Sequence, residues 1–225
     1  MTITGVRATS VTKRVDQPPR TLTFPDVELT RGELVAVTGP TASGKTILVN
    51  FLAGWDRPDS GTVEWVGASA SPPPWSAVAV VPQQFALVDE LDVIENITLA
   101  TRAGVELADD AIAELMEALR LDRLVHRNVQ EISVGERQRV MVARALAGTP
   151  DVILADEPVA HQDRQNAETV VRLLRERAAR GTACLVATRE ADIAAGADRR
   201  IELAPASHAG DGPWSDETVT TWISR

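Results

Sequence analysis

The chain has 225 residues, which is enough for one domain with a substantial hydrophobic core. Its formal net charge of -9 argues against non-specific binding to nucleic acid or to an anionic membrane, because both need a basic surface. The single cysteine, Cys184, lies in an apolar run and indicates a reducing compartment, and no apolar run approaches the length of a membrane span.

The first part of the chain predicts β-structure. Alternating apolar and β-branched residues indicate strands over 2–11 and 21–29, joined by a loop over 16–20. The apolar run 34–37 then indicates a short buried strand.

A glycine-rich loop follows this strand and passes directly into a predicted helix. It has the pattern G-x-x-x-x-G-K-[ST] in the strand–loop–helix context that the pattern requires. Small residues let successive backbone N–H groups converge on a phosphate, Lys45 adds a positive charge, and the Thr46 hydroxyl is suited to holding Mg²⁺. The alternative is a purely structural turn. The candidate phosphate-binding residues are Gly39, Pro40, Thr41, Ala42, Ser43, Gly44, Lys45, Thr46 and Ile47.

The remaining elements alternate between strands and helices. An acidic, helical pattern over 91–121 predicts a helical insert. Its apolar residues at helical spacing are Ile112, Leu115, Met116 and Leu119. The other predicted elements are a turn over 58–61, strands over 62–66, 77–81, 152–155 and 183–187, and helices from 133 and over 163–179. Continuous apolar strands between helices predict an α/β fold, with a mainly parallel sheet covered by helices on both faces.

Two carboxylates follow the apolar strand 152–155. Asp156 is expected at the carboxyl end of a core strand, where α/β sheets bind ligands, and there it could hold Mg²⁺ opposite Thr46. Glu157 would then face the terminal phosphate and could position or polarise a water molecule. The alternative is that Asp156, Glu157 and Pro158 only end a strand and begin a turn.

The segment 131–150, EISVGERQRVMVARALAGTP, closely resembles the signature region of ATP-binding-cassette (ABC) ATPases, commonly LSGGE-x-QRVAIARAL. Gln83 corresponds to the glutamine of the family's Q-loop, and Asp163 corresponds to the aspartate of its D-loop. The resemblance covers about residues 5–203 and is greatest to the nucleotide-binding subunits of lipoprotein-release and macrolide-export systems. The signature residues that match or nearly match are Ile132, Ser133, Gly135, Glu136, Gln138, Arg139, Val140, Ala143, Arg144, Ala145 and Leu146.

The resemblance implies a P-loop NTPase (RecA-like) fold with a parallel-sheet core, an N-terminal antiparallel β subdomain and a helical insert. We expect a single ATP-binding domain over 1–225. Its expected parts are a core over about 1–85 and 148–205, a helical insert over about 86–147, and a C-terminal tail over 206–225, to which no function is assigned.

The resemblance also implies ATP and Mg²⁺ as cofactors. The residues with implied catalytic roles are Glu157, Lys45, Gln83 and Arg189. The implied metal ligands are Thr46, Gln83 and Asp156. Outside the phosphate loop, the implied nucleotide-binding residues are Val15, Ser133, Gly135 and Glu136.

Partners follow from the same resemblance. Two such subunits, identical or different, would stack head to tail, so that Ser133 and Gly135 of one chain cap the terminal phosphate held by the other. Transmembrane permease subunits would dock beside the Q-loop and the helical insert, and no nucleic acid is expected. Together with the lack of an apolar signal segment, this predicts a cytoplasmic subunit on the inner face of the cell membrane.

Four positions depart from the family pattern. Arg189 stands where a switch histidine is expected, and it could act as an arginine finger, hold products too tightly, or point to solvent. Val134 replaces a signature glycine and disfavours positive φ. Val15 stands where an aromatic residue stacks on adenine, so about 1 kcal/mol of stacking is lost unless an apolar or Arg14 contact replaces it. Ile47 removes a phosphate hydrogen bond of roughly 1–2 kcal/mol.

Three functions are compatible with these residues. The first is an ATPase that drives transport, with water attack assisted by Glu157. The second is a degenerate, nucleotide-gated subunit, regulatory or paired with a consensus ATPase, that binds ATP but hydrolyses it weakly, which Arg189, Val134 and Val15 favour. The third is a stand-alone P-loop enzyme such as a small-molecule kinase, which the signature segment disfavours.

Overall fold

Two β-sheets organise the fold of the residues that the computed structural model describes, namely 2–16, 19–74, 76–99 and 109–205. The strands are β1 Gly5–Asp16, β2 Pro19–Thr23, β3 Val27–Thr30, β4 Leu34–Thr38, β5 Ser60–Val66, β6 Val78–Val81, β7 Val152–Asp156, β8 Ala183–Ala187 and β9 Arg199–Glu202. The helices are α1 Lys45–Ala53, α2 Val93–Ile97, α3 Asp109–Ala118, α4 Val134–Ala147, α5 Arg164–Ala179 and α6 Ala191–Ala195, with a short 3₁₀ helix at Asp122–Leu124.

The antiparallel sheet is built around the long strand β1. One edge of β1 pairs with β5, and the other edge pairs with β2 and then with β3. The single strand predicted over 21–29 is therefore wrong, because the chain leaves the ladder at 24–26, where Pro25 has no N–H to donate. The predicted loop over 16–20 is shorter than expected, since β1 continues to Asp16 and β2 begins at Pro19, and residues 17 and 18 lie outside the described part.

The parallel sheet has the strand order β6-β7-β8-β4-β9, and its three central strands β7, β8 and β4 are buried on both faces. In β7, Ile153 and Ala155 pack among the residues of α2 to α5, whereas Val152 and Leu154 pack on the opposite side. That opposite side is covered by α1 together with the antiparallel sheet. The prediction of helices on both faces is thus correct for the face covered by α2 to α5. It is only partly correct for the other face, where the antiparallel sheet lies beside α1.

The helices between β6 and β7 bury the predicted apolar residues. Ile112, Met116 and Leu119 lie in the core, and Leu115 is half-buried against it. The part of the predicted insert over 100–108 and the predicted tail over 206–225 lie outside the described residues. The five-residue helix α6 was not predicted from the sequence.

Cys184 lies in the core of the parallel sheet, as its apolar surroundings predict. It is fully buried in β8, and burial raises the pKa of its thiol to about 12. The side chain therefore behaves as a small core residue and not as a reactive thiol.

Candidate functional site

Three neighbouring parallel strands end at the same edge of the sheet and bring the predicted site residues together. The phosphate loop follows β4, Asp156 ends β7 with Glu157 directly after it, and Arg189 follows β8. The register pairs Asp156 with Ala187, and Glu157 N donates to Ala187 O at 2.8 Å. This fixes the Glu157 backbone, which has an unusual positive φ of 49°.

The phosphate loop packs closely against residues of the neighbouring strands. Gly44 has a φ of 97°, and a Cβ atom there would lie 2.8 Å from the ring of Phe24, which only glycine avoids. Gly39 is similarly restricted, because a Cβ atom would lie 2.9 Å from Leu203 O. The loop therefore presents its backbone at the N-terminus of α1, which is the arrangement that binds phosphate groups.

Lys45 lies across the mouth of this loop. Its Nζ donates to Gly39 O at 2.8 Å and to Pro40 O at 3.2 Å, and the residue is buried. Burial lowers the pKa of the ammonium group, and the negative charge of Glu157 opposes that shift. An anion bound in the loop would stabilise this partly desolvated cation.

Three oxygen-bearing side chains converge beside Lys45. The Thr46 hydroxyl donates to Asp156 Oδ2 at 2.5 Å, and Gln83 Oε1 lies 3.2 Å from the same hydroxyl. Within the described part of the chain, Asp156 Oδ1 is buried and has no hydrogen-bond partner. Burial raises the pKa of the Asp156 carboxyl, the Thr46 hydrogen bond opposes the rise, and the charge of Glu157 adds to it.

This donor set fits Mg²⁺. Hydroxyl, amide and carboxylate oxygens are hard ligands, and Mg²⁺ is commonly held by one or two carboxylates with the rest of its shell from phosphate and water. A divalent cation would also stabilise the ionised form of the buried Asp156 carboxylate. Among the described residues, no cluster of three or more histidine, cysteine or acidic side chains is arranged to hold a metal, and the set at this site contributes one carboxylate, Asp156.

Glu157 and Arg189 form an ion pair just beyond the ends of β7 and β8. Arg189 Nε lies 3.2 Å from Glu157 Oε1, with the Glu157 side chain 8% exposed and the Arg189 side chain 60% exposed. The Arg189 side chain is therefore mostly exposed to solvent, and its guanidinium also contacts the candidate catalytic carboxylate. The exposed head leaves it free to exchange that contact for another anion.

A cavity of about 300 Å³ joins these groups. Most predicted site residues line it, but Gly39, Pro40 and Ser43 of the loop do not. Val15 and Arg14 also lie outside the lining: Val15 is half-buried against the core, and Arg14 is exposed beside Asp16. Instead Arg20 and Leu22 of β2 enter the lining, and the sequence prediction missed both. The alternating pattern of β2 places them on one face, but only the packing of β2 against the phosphate loop identifies that face with the cavity.

The signature residues lie away from this cavity. Ser133 caps the N-terminus of α4 in a reciprocal capping box: its Oγ accepts from Glu136 N at 3.3 Å, and its N donates to Glu136 Oε2 at 2.7 Å. A Cβ at Gly135 would lie 2.9 Å from His161 O. Val134 is the first residue of α4 and needs no positive φ, so the predicted strain at this position is absent.

A second, larger cavity of about 600 Å³ lies beside β6 and the C-terminus of α1, and its lining is mainly apolar. Trp55 stands at this groove with 59% of its surface exposed, the most exposed large hydrophobic residue among those described. Arg144 is the one charged residue in the described lining, and burial lowers the pKa of its guanidinium. We call this surface the Trp55 groove.

Comparison with known proteins identifies the family. A model of the family described as ABC transporter matches residues 22–160, which is more than half of the chain. The chain belongs to this family. It is 36% identical over 207 residues to the lipoprotein-releasing system ATP-binding protein LolD of Syntrophotalea carbinolica, covering 87% of this chain and 89% of that protein. It is also 36% identical over 190 residues to the macrolide export ATP-binding/permease protein MacB of Rhodopseudomonas palustris, covering 79% of this chain but 29% of that protein.

Solved ABC cassettes share the fold. The dimeric structure of MJ0796, a bacterial ABC transporter cassette, superposes with a TM-score of 0.76 at 26% identity, covering 88% of this chain and 94% of that one. A dimeric post-hydrolysis state of the same cassette, bound to ADP and Pi, gives a TM-score of 0.74. The predicted P-loop NTPase fold and the predicted ABC family are therefore confirmed. Among the described residues, each helix is too short or too polar to span a lipid bilayer.

Proposed function

We propose that the chain hydrolyses ATP and uses the energy to drive a membrane transporter. The observation that carries the proposal is the meeting of the phosphate loop, the Thr46–Asp156 pair and Glu157 in one cavity. The loop and Lys45 bind the β- and γ-phosphates, and Glu157 accepts a proton from the attacking water. Thr46, Gln83 and Asp156 would hold Mg²⁺, which balances the charge of the triphosphate. The experiment that tests the proposal is Glu157→Gln, which we expect to lower steady-state ATP hydrolysis while leaving MgATP binding nearly unchanged.

A second cassette completes the site in this proposal. Ser133, Gly135 and Glu136 do not line the cavity of their own chain, although Ser133 begins a helix whose N-terminus attracts anions. Because these residues lie away from the cavity of their own chain, they can contact a nucleotide only when it is bound in the cavity of another chain. A head-to-tail pair, identical or mixed, satisfies that requirement and agrees with the dimeric state of the solved cassette MJ0796.

The Trp55 groove is the proposed contact with a permease subunit. It is concave and mainly apolar, and it lies between the helical region and the strand that leads to Gln83. An amphipathic helix from a permease fits such a groove, and an acidic side chain on it would pair with Arg144. Binding there would place the cassette against the inner face of the membrane. The LolD and MacB relatives act in lipoprotein release and macrolide export, so a permease of that type is the proposed partner.

Trp55→Ala tests this docking surface. We expect at least a tenfold loss of affinity for the partner permease, because a buried tryptophan anchor contributes on the order of 2 kcal/mol or more to an interface. The measurement is co-purification and binding of the permease complex, with ATPase activity of the isolated cassette as the internal control. Val66→Ala removes an exposed hydrophobic side chain outside the groove and should leave binding unchanged. Undiminished binding by the Trp55 variant would refute the assignment.

Arg189→Ala tests the residue that replaces the expected histidine. We expect kcat to fall about 10- to 100-fold, because a guanidinium that leaves Glu157 for the γ-phosphate supplies a charged hydrogen bond of about 1.5–3 kcal/mol. Phosphate release at saturating MgATP measures this. Arg172→Ala is the matched control, since Arg172 also forms an ion pair, with Glu176, on a helix away from the cavity.

One observation favours the degenerate, weakly hydrolysing subunit as a second candidate. Arg189 occupies a carboxylate oxygen of Glu157, the group that hydrolysis requires. If that contact persists with ATP bound, it restrains the carboxylate and slows the reaction. The same Arg189→Ala variant would then hydrolyse ATP faster than the unaltered chain, which is the opposite of the result expected above.

A further inference from the structure

Arg20 is held against the phosphate loop by the sheet that contains it. It lies two residues before Leu22 in β2, so both side chains share one face. Leu22 is buried, and its Cδ1 atom lies 3.1 Å from the place that a Cβ atom of Gly44 would occupy. That face of β2 therefore packs on the loop, and Arg20 Nη2 donates to Ala42 O at 3.2 Å.

The guanidinium of Arg20 has unused binding capacity. Its Nε is buried and has no hydrogen-bond partner, and no carboxylate of the described residues lies within ion-pairing distance of it. A cation held in this way, without a counter-charge, is stabilised when a ligand with a negative charge or an electron-rich face enters the cavity.

The surroundings of Arg20 differ from those of the other cations in the cavity. Lys45 and Arg189 lie near Asp156 and Glu157, in the part of the cavity proposed to bind the phosphates. Arg20 instead enters with Leu22, and Ile47 adds another aliphatic side chain to the lining. A planar cation with aliphatic neighbours can stack on the flat face of a nucleobase.

No aromatic side chain among the described residues lines this cavity. The chain contains no tyrosine, and Phe24 and Phe51 are buried in the core, where they contact each other edge to face. Val15 lies directly opposite Arg20 in the β1–β2 ladder, so both side chains project from the same face of the sheet. Of these two residues, Arg20 lines the cavity and Val15 does not.

We infer that Arg20 binds the nucleoside end of the nucleotide, with its guanidinium plane stacked on the base. The hydrogen bond to Ala42 O sets the orientation of that plane, and Leu22 and Ile47 contact the base or ribose edge. This inference rests on the proposed function, since it requires that a nucleotide occupies the cavity. It assigns to β2 the stacking contribution that Val15 cannot make.

The test compares MgATP with magnesium tripolyphosphate, which has the same phosphates and no base. We expect Arg20→Ala to weaken MgATP binding about tenfold, within the range for loss of one base-stacking side chain, and to change tripolyphosphate binding less than twofold. Arg20→Trp should restore MgATP affinity because indole also stacks, whereas Arg20→Lys should not. Calorimetric titration measures each Kd, and thermal melting checks that each variant folds.

Arg14→Ala is the matched control, because Arg14 lies in the same strand pair but outside the cavity. Equal losses for MgATP and tripolyphosphate in Arg20→Ala would overturn the inference by indicating a phosphate contact. Unchanged MgATP binding by that variant would overturn it by removing Arg20 from the site. An unaltered protein that bound neither ligand would overturn the proposed function, and this assignment with it.

Discussion

Glu157→Gln is expected to lower steady-state ATP hydrolysis by about 10²–10⁴-fold while leaving MgATP binding within a few-fold of that of the unaltered chain. Glutamine has the same shape, so it can keep the buried position and still accept a hydrogen bond from Arg189. It has no basic carboxylate, however, and cannot take a proton from the attacking water. Steady-state phosphate release and a separate binding titration measure the two quantities.

The expected retention of binding has its own reason. The phosphate loop and Lys45 are untouched, and the substitution removes one negative charge from a cavity that must accept a triphosphate. Glu168→Gln is a suitable control, because Glu168 pairs with Arg164 on the exposed face of α5 and is absent from the cavity. Undiminished phosphate release by the Glu157 variant would show that another group activates the water.

The phosphate loop and the strand-end carboxylates could be predicted from the sequence because each lies within a short segment. The glycine pattern around Lys45 and the apolar run before Asp156 determine their local structure without reference to distant parts of the chain. Their meeting at one sheet edge also follows, since parallel strands end with their carboxyl ends together. The Thr46–Asp156 hydrogen bond is the direct consequence.

The position of Arg20 could not be predicted in this way. It depends on the packing of one sheet against another, and the predicted strand over 21–29 did not resolve β2 from β3. The Arg189–Glu157 pair has a similar origin, because it requires that β7 and β8 be neighbours. By contrast, the start of α4 at Val134 could be predicted from the sequence, since Ser133 and Glu136 have the S-x-x-E spacing of a capping box.

Lysine itself is informative at position 45. Apart from Lys13, every other basic residue among the 23 is an arginine, so the chain uses lysine rarely. The ammonium group lies within 3.2 Å of two loop carbonyls in a buried position. A compact charge can bridge these carbonyls and a phosphate, whereas the larger, forked guanidinium has a different donor geometry. We therefore expect arginine at position 45 not to replace lysine in binding MgATP.

Lys45→Ala is expected to weaken MgATP binding about 100-fold, because it removes a charged hydrogen bond to phosphate of about 1.5–3 kcal/mol and also the contacts that close the loop. Titration with MgATP gives the Kd, and the melting temperature without nucleotide separates a binding defect from unfolding. Lys13→Ala is the matched control, since Lys13 pairs with Asp56 outside the cavity. If the folded Lys45 variant bound MgATP as tightly as the unaltered chain, the nucleotide would not lie in this loop, and the roles given to Thr46 and Asp156 would fail with it.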